Sequence, residues 1–492
     1  MTETAKKKRG MPSSFTILLA LLAIVAVITV IVSGTSGGEV TAARLSDFCT
    51  APILGFADAL PVCLFVMILG GFLGMMTETG ALDNGIAVLV QKLKGNEIML
   101  VPVLMLIFSL GGTTYGMCEE TVPFYALLAA TMMAAGFDPM VGAATVLLGA
   151  GCGCLGSTVN PFAVGAAVDA LTGVDIAVNQ SIIIGLGGVL WLVTTVMSIV
   201  FVMNYAKKVK ADKGSTILSM QELEDAEAAH GKAASEVNKE VKLTGRQKGV
   251  LIAFAFTFVV MIVGFIPLAD LNEGVANFFD AGAVYDADGN TVVQGWSALI
   301  TGLPIGQWYF DEASTWFFLM AILIGIIGGL SEKQIVNTFI TGAADMMSVV
   351  LVIALARGIS VLMANTGLDV YVLDAAANAL AGLSGVIFAP MSFLVYFGLS
   401  FLIPSTSGMA TVSMPIMGPL AVKLGFSPEV MVMIFSAAIG VVNLFTPTSG
   451  AIMGGLALAK IEWTTWLKFA LKLIVALSVV CAVILTVACV ML

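Results

Sequence analysis

Apolar residues in this chain come in blocks, not in the alternation of a half-buried strand or the single stripe of a surface helix. Runs at 15–32, 51–76, 181–204, 250–266, 315–330, 341–363 and 466–490 are predominantly apolar. Each is long enough, or nearly so, to cross a hydrocarbon core of about 30 Å as an α-helix. Two longer runs, 140–171 and 430–459, are interrupted by polar residues and proline. Elsewhere two pairs of shorter arms flank breaks rich in Gly, Ser and Thr: 98–110 with 122–135, and 386–403 with 412–422. Arms too short for a full crossing predict re-entrant hairpins, 98–135 and 386–422, whose tips stop inside the membrane. Irregular backbone is tolerated at that depth only where protein buries it or a wet cavity adjoins it. The pattern therefore predicts nine spanning helices, two of them broken, and two hairpins. Segments 82–94 and 369–383, interrupted by polar residues, read as interfacial helices in matching positions.

Composition agrees with this reading. Of 492 residues, 59% are hydrophobic and 11% charged, against about 25% charged in soluble proteins. So few charges do not coat water-facing domains of this size, which excludes a soluble enzyme. The net charge of -10 resides mainly in the loops, so it says little about a binding surface, and no nucleic-acid partner is expected. The seven cysteines form no Cys-x-x-Cys pair, and His230 is the only histidine. That leaves no material for a zinc site or a histidine-based triad. No enzymatic activity and no cofactor are expected.

The loops set an orientation. Lys6, Lys7, Lys8 and Arg9 precede the first run, and the positive-inside rule places this 1–14 tail in the cytoplasm of a plasma-membrane protein. The run at 15–32 exceeds the roughly 7–15 apolar residues of a cleaved signal peptide, so it reads as a retained helix. Lys92 and Lys94 then return to the inside. Segment 207–249 is rich in lysine and carries an acidic, helical insert at 222–227; it is expected to be cytoplasmic. Segment 267–314 carries acids and no lysine or arginine, and is expected to face outward. Within it, Asp288-Gly289-Asn290 predicts the tight turn of a small β-hairpin at 283–293. The helix at 250–266 joins the two loops.

The two halves of the chain resemble each other. Tyr115-Gly116-Met117-Cys118-Glu119-Glu120-Thr121-Val122-Pro123 aligns with Ser407-Gly408-Met409-Ala410-Thr411-Val412-Ser413-Met414-Pro415. Gly136-Phe137-Asp138-Pro139 aligns with Gly425-Phe426-Ser427-Pro428, and Ser157-Thr158-Val159-Asn160-Pro161 falls on Thr446-Pro447-Thr448-Ser449-Gly450. Counting crossings from an inside start, the first hairpin enters from the cytoplasm and the second from outside. The expected fold is an all-α polytopic membrane protein of two inverted repeats, 15–206 and 315–492. Inverted repeats with broken helices are the signature of secondary transporters, with the site at the repeat interface.

A hairpin tip and a broken helix bring hydroxyls and freed backbone groups to one point. Helix N-termini favour anions and unwound carbonyls favour cations. The expected substrate and ion site comprises Gly112, Thr113, Thr114, Glu119, Glu120, Ser157, Thr158 and Asn160 in the first half. In the second half it comprises Ser405, Thr406, Ser407, Asn443, Thr446, Thr448 and Ser449. Na+ or H+ is the expected coupling ion, with Na+ placed near Thr113, Asn160, Ser405 and Thr448. The competing role for these residues is structural, capping helix ends and letting helices pack closely. A carboxylate near the midplane costs about 2.5–3.5 kcal/mol, which marks Glu119 and Glu120 as functional candidates. Being adjacent, they do not share one helix face: one is expected to bind a cationic group, Na+ or H+, and the other to hold the N-terminus of the second arm. Arg357, read as lying toward the outer end of its run and snorkelling, and Asp345, near the inner end, are second-rank candidates with structural roles.

These motifs resemble the ion transporter superfamily, and most of all its YfcC-type branch, grouped with anaerobic dicarboxylate carriers and containing arginine/ornithine antiporters. The likeness rests on Lys8-Arg9-Gly10-Met11-Pro12, Gly116-Met117-Cys118-Glu119-Glu120-Thr121-Val122-Pro123-Phe124, Gly136-Phe137-Asp138, Asn160-Pro161-Phe162 and Tyr205-Ala206-Lys207-Lys208-Val209-Lys210. The resemblance implies a homodimer whose scaffold holds a moving transport domain, operating as an elevator. Dicarboxylate carriers of this group hold carboxylate and sodium with Ser-Asn-Thr tips. Here the corresponding places read Gly-Thr-Thr, Ser-Thr-Val-Asn-Pro, Ser-Thr-Ser and Thr-Pro-Thr-Ser. A doubly anionic ligand is also repelled by an ionised Glu119 or Glu120. The expected substrate is therefore an amino acid, of the basic class of arginine or ornithine, by exchange or ion coupling; the alternative is Na+- or H+-coupled transport of dicarboxylates or other small carboxylates.

Overall fold

A computed structural model of the chain describes residues 14–82, 84–85, 88, 96–237, 242–266, 268–271, 273–286 and 291–492. The basic residues Lys6 to Arg9, the Lys8-Arg9-Gly10-Met11-Pro12 motif, Lys92, Lys94, most of the expected interfacial helix 82–94 and the turn Asp288-Gly289-Asn290 lie outside the described residues.

The first half contains α1 (Ser14–Ser33), α2 (Leu45–Asp58), α3 (Leu60–Glu78), α4 (Leu100–Tyr115), α5 (Val122–Ala134), α6 (Pro139–Leu155), α7 (Ala166–Thr172) and α8 (Gln180–Ala211). Between the halves lie α9 (Met220–Val237), α10 (Gly245–Phe265), two short helices and the antiparallel pair β1 (Val284–Tyr285) and β2 (Thr291–Val293). The second half contains α11 (Phe310–Gly328), α12 (Glu332–Asp345), α13 (Met347–Thr366), α14 (Leu368–Leu380) and α15 (Gly385–Leu402). It ends with α16 (Thr406–Lys423), α17 (Pro428–Val442), α18 (Gly450–Leu458) and α19 (Trp463–Met491).

Nine helices among the described residues are long and apolar enough to cross a membrane. Their outer faces are apolar as well. On α19, Val475, Val479, Val483 and Val487 form an exposed i, i+4 stripe, and Leu192, Val196 and Val200 do the same on α8. Stripes of that length facing outward are solvated by lipid rather than water. The chain is an all-α, multi-pass membrane protein.

The nine differ from the set the sequence predicts. They include α4 and α15, the first arms of the two hairpins, whereas α6 and α17 are shorter apolar helices. The run at 51–76 is not one helix: α2 begins at Leu45, and the chain breaks at Ala59 before α3. Pro61 explains this break, because its ring and missing N–H disrupt the hydrogen bonding of the preceding turn. The run at 341–363 breaks as well, at Met346 between α12 and α13, with no proline to announce it. Several ends move outward for local reasons. Phe310 starts α11 because the Glu312 carboxylate accepts the Tyr309 N–H at 2.9 Å in an acidic first turn. Thr406 starts α16, six residues ahead of the predicted arm, because the Ser405 hydroxyl accepts the Gly408 N–H at 3.1 Å. Lys208 and Lys210 in the last turn carry α8 to Ala211, where Lys210 pairs with Glu97 at 2.6 Å. The acidic insert expected at 222–227 is the longer helix α9.

The helix contacts come in exchanged pairs. Helix α2 packs on α13 as α12 packs on α3, and α1 on α13 as α11 on α3. Likewise α4 and α5 flank α6 as α15 and α16 flank α17, and α5 meets α18 as α16 meets α7. Glycines set the closest crossings. A Cβ on Gly55 would lie 2.3 Å from the Ala354 carbonyl oxygen, and one on Gly358 2.8 Å from that of Ala51. The other crossing is its counterpart: a Cβ on Gly70 or Gly342 would lie 2.5 or 2.4 Å from the other's carbonyl oxygen. At the centre the Leu444 side chain, just past α17, packs on Gly151 of α6, and the Leu155 backbone at the end of α6 packs on Gly440 of α17, at the offset that aligns Gly136 with Gly425.

Two bodies result. One comprises α1–α3 and α10–α13; the other comprises the hairpins, the broken helices, α8 and α19. They meet mainly along α13, where Ile353 and Val349 fill the space beside Gly450 and Gly454 of α18. Gly342→Ala forces carbon against a backbone oxygen and is expected to cost about 1–3 kcal/mol, lowering the unfolding temperature in detergent. Gly398→Ala, where nothing lies within 4 Å of the added carbon, is expected to leave that temperature unchanged or slightly raised.

Candidate functional site

The tips and breaks converge. After α4 the chain leaves the helix at Gly116 with φ +77° and turns through 116–121 into α5. Helix α6 ends at Leu155, and a new helical segment starts at Pro161 with a π-turn. In the second half, 403–405 joins α15 to α16, and 443–449 joins α17 to α18. Between them lies a cavity of about 170 Å³. Both tips and both breaks line it from one body, and Ala59, Val62, Phe310, Ile353, Ala356 and Arg357 line it from the other.

Breaking a helix frees backbone groups, and each break satisfies them by named side chains. In the first, the Asn160 carboxamide oxygen accepts the Phe162 and Ala163 N–H groups at 2.9 and 3.4 Å, while its NH2 donates to the Ser157 hydroxyl at 2.9 Å. The Thr113 hydroxyl donates to the Gly156 carbonyl at 2.7 Å. The Thr113 carbonyl accepts the Thr158 N–H and hydroxyl at 2.9 and 3.0 Å, stitching hairpin to break. In the second, the indole N–H groups of Trp463 and Trp466 donate to the carbonyls of Phe445 and Leu444 at 2.7 and 2.9 Å. Thr446 and Thr448 share a hydroxyl contact of 2.7 Å.

These bonds divide the residues the sequence singled out. Glu119, Asn160, Ser405, Thr406, Ser407, Asn443, Thr448 and Ser449 line the cavity. Gly112, Thr113, Thr114, Glu120, Ser157, Thr158 and Thr446 lie behind it. Gly112 packs against the α6 backbone, where a Cβ would lie 2.2 Å from the Ala150 carbonyl oxygen. Thr114 bonds back to the Leu110 carbonyl at 2.6 Å. Glu120 is 1% exposed and accepts the Cys118 N–H at 2.9 Å. The adjacent carboxylates thus separate: Glu119 lines the cavity, and Glu120 braces the turn into the second arm. Among the described lining residues the side chains of Thr406, Ser407, Asn443 and Ser449 make no hydrogen bond to protein groups, leaving their polar atoms to a ligand.

One lining group was misread from sequence. Arg357 sits mid-way along α13 rather than near the outer end of its run. It does not snorkel: its Nε pairs with Asp58 at 3.1 Å, and the residue lines the cavity. A charge inside an apolar run was the available signal. Asp345 is the exposed last residue of α12. Two aromatic residues join the lining: Phe162, known from the sequence only as part of the Asn160-Pro161-Phe162 motif, stacks at the helical restart on Phe310 of the other body at 5.2 Å, and both line the cavity.

Such a lining captures and releases. Its hydroxyls, amides, helix ends and two opposite charges are suited to reversible binding, and its thiols, Cys118 and Cys154, have no imidazole beside them, since His230 contacts the Leu458 carbonyl instead. In a multi-pass protein such a lining suits a carrier of small molecules. Residues 39–490 match the family of C4-dicarboxylate anaerobic carriers, and the chain belongs to that family, as a YfcC-type transporter. It is 29% identical to an uncharacterized protein of Haemophilus influenzae over 90% of this chain and 78% of that one. It is 27% identical to the putative basic amino acid antiporter YfcC of Escherichia coli over 87% and 77%. Among solved structures it is similar to Neisseria gonorrhoeae MtrF, of a class of antimetabolite efflux pumps, at 17% identity, 98% and 96% coverage and a TM-score of 0.45. It is likewise similar to the Alcanivorax borkumensis YdaH transporter, at 15% identity, 96% and 97% coverage and a TM-score of 0.47.

Gly116 tests the fit of tip to break. A Cβ there would lie 2.4 Å from the Asn160 Oδ1, on a backbone that already needs positive φ. Gly116→Ala is expected to abolish uptake in proteoliposomes while the protein still inserts and runs as a single peak on size exclusion.

Proposed function

We propose that the chain transports basic amino acids, by arginine/ornithine exchange or ion-coupled uptake, through an elevator-type movement of the cavity-bearing body past the other. The carrying observation is the charge pattern of the cavity. Glu119 is its one carboxylate among the described residues, and it shares the lining with the N-terminal turns of α16 and α18 through Thr406, Ser407, Gly450 and Ala451. N-terminal N–H groups and the Ser and Thr hydroxyls receive a substrate carboxylate, and Glu119 receives the side-chain cation. The YfcC relative, named as a putative basic amino acid antiporter, supports the same class. In this reading the two halves are inversely oriented, the N-terminus is cytoplasmic in the plasma membrane, and the first body forms the contact of a homodimer. The coupling ion, where one is used, is H+ or a Na+ held near Thr113, Asn160, Ser405 and Thr448.

A second reading, Na+- or H+-coupled transport of dicarboxylates or other small carboxylates, draws on the family's description and on the Arg357 cation in the cavity.

Proteoliposomes preloaded with ornithine or arginine decide between them. Labelled arginine is expected to enter by counterflow, faster than into empty vesicles and undiminished by excess succinate. Saturable succinate uptake under a Na+ or H+ gradient, with no arginine signal, would give the site to the carboxylates. Removing the buried charge partner of a cation costs on the order of 2–3 kcal/mol, so Glu119→Gln is expected to weaken arginine binding by roughly 30- to 150-fold. Glu120→Gln, whose oxygen remains an acceptor for Cys118, is expected to keep arginine affinity within about threefold.

A further inference from the structure

The cavity holds two opposite charges, one from each body. Glu119 belongs to the first hairpin tip, and Arg357 belongs to α13 of the other body. Both line the same cavity, and no direct ion pair joins them among the described residues. On its own body, Arg357 has a partner: Asp58 at the end of α2 holds its Nε at 3.1 Å. Asp58 is half exposed and Arg357 one-quarter exposed, so Asp58 holds one edge of the guanidinium from the rim. Because Arg presents several N–H donors in a fixed fork, an Nε held by Asp58 leaves the remaining donors for the cavity.

We propose that Arg357 is a lock on the empty carrier: without substrate its charge holds Glu119 across the boundary between the bodies, and a substrate cation seated on Glu119 releases it. The proposal rests on the reading above, that the cavity is the substrate site and that one body moves past the other. Its physics is that of charges in a low-dielectric boundary. Sliding the bodies apart with the cavity empty would separate Glu119 from its counter-charge and carry a bare carboxylate through the membrane, which is costly. With a cation bound, Glu119 travels neutralised, and Arg357 stays behind, compensated by Asp58. Obligatory exchange follows without a further gate, because only the loaded body relocates. Asp58 is then a positioning residue, which moderates the lock by competing for Arg357.

The test compares wild type with Arg357→Gln and Asp58→Asn in proteoliposomes, and uses two readouts. The first needs no substrate. Cys118 and Cys154 line the cavity, so a membrane-impermeant maleimide added to one side of empty vesicles reports which side the cavity faces, read as peptide mass at each cysteine. Wild type is expected to be labelled in one orientation only. Arg357→Gln is expected to be labelled from both sides, and Asp58→Asn to remain one-sided. The second readout is labelled arginine. The ratio of counterflow to uptake into empty vesicles is expected to fall from about tenfold or more in wild type toward one in Arg357→Gln, with binding affinity retained. In Asp58→Asn, where Arg357 holds Glu119 more firmly against the incoming cation, exchange is expected to slow and arginine affinity to fall, each severalfold. One-sided labelling in Arg357→Gln would overturn the lock. So would loss of arginine binding in that variant, which would make Arg357 a substrate ligand instead. Arg357→Lys guards against misfolding: it keeps the charge and is expected to stay one-sided, and two-sided labelling there would also overturn the proposal. Failure of arginine binding in wild type would refute the basic-amino-acid reading alone, since the thiol readout stands without it.

Discussion

Every part of this molecule answers to one constraint: a backbone amide or carbonyl in a membrane has to find its partner inside the protein. Most helices meet it by themselves. The breaks at 156–160 and 443–449 do not, and the structure meets their demand with side chains chosen for the purpose. Asn160 caps the helical restart, Thr113 ties the first hairpin to the first break, and the indoles of Trp463 and Trp466 take the loose carbonyls of the second. Once these groups are satisfied, what remains unpaired around the cavity is what a ligand meets.

The same constraint sorts the candidate residues into two kinds. Polar residues that lie behind the cavity, such as Thr113, Thr158 and Glu120, spend their hydrogen bonds on the backbone. Of those that line it, Asn160 and Ser405 also bond to backbone and Thr448 to Thr446, whereas the side chains of Thr406, Ser407, Asn443 and Ser449 make no hydrogen bond to protein groups. A stable break and the unpaired polar groups of the cavity are therefore supplied by neighbouring residues of the same chemical type.

Much of the fold was legible in the sequence because membrane insertion imposes long apolar blocks, and a polar interruption in such a block is conspicuous. The tip at Gly116 and the break at Asn160-Pro161 were visible for that reason. The division of Glu119 from Glu120 was not, because adjacency in sequence shows only that they diverge, and the choice depends on the Cys118 N–H that claims Glu120. The break at Met346 was hidden because no proline accompanies it and the apolar run continues past Asp345 on both sides. Arg357 was seen but misplaced: the apolar run at 341–363 put it near an end, whereas α13 begins at Met347 and continues to Thr366, which centres it. The glycine crossings were invisible, since a glycine shows its purpose only when the opposing backbone is in place.

The reciprocal seating of Leu444 over Gly151 and Leu155 over Gly440 has a bearing on ancestry. Each half sets a glycine against the equivalent leucine of the other, by its side chain at Gly151 and its backbone at Gly440, which is the pairing of a self-complementary contact in a symmetric dimer. A half-length chain carrying both features already possesses the surface on which two identical copies assemble. Duplication and fusion of such a chain would preserve the contact while freeing the two tips to diverge, and here they have: Gly116-Met117-Cys118-Glu119 carries the acid on one side, and Gly408-Met409-Ala410-Thr411 carries none on the other.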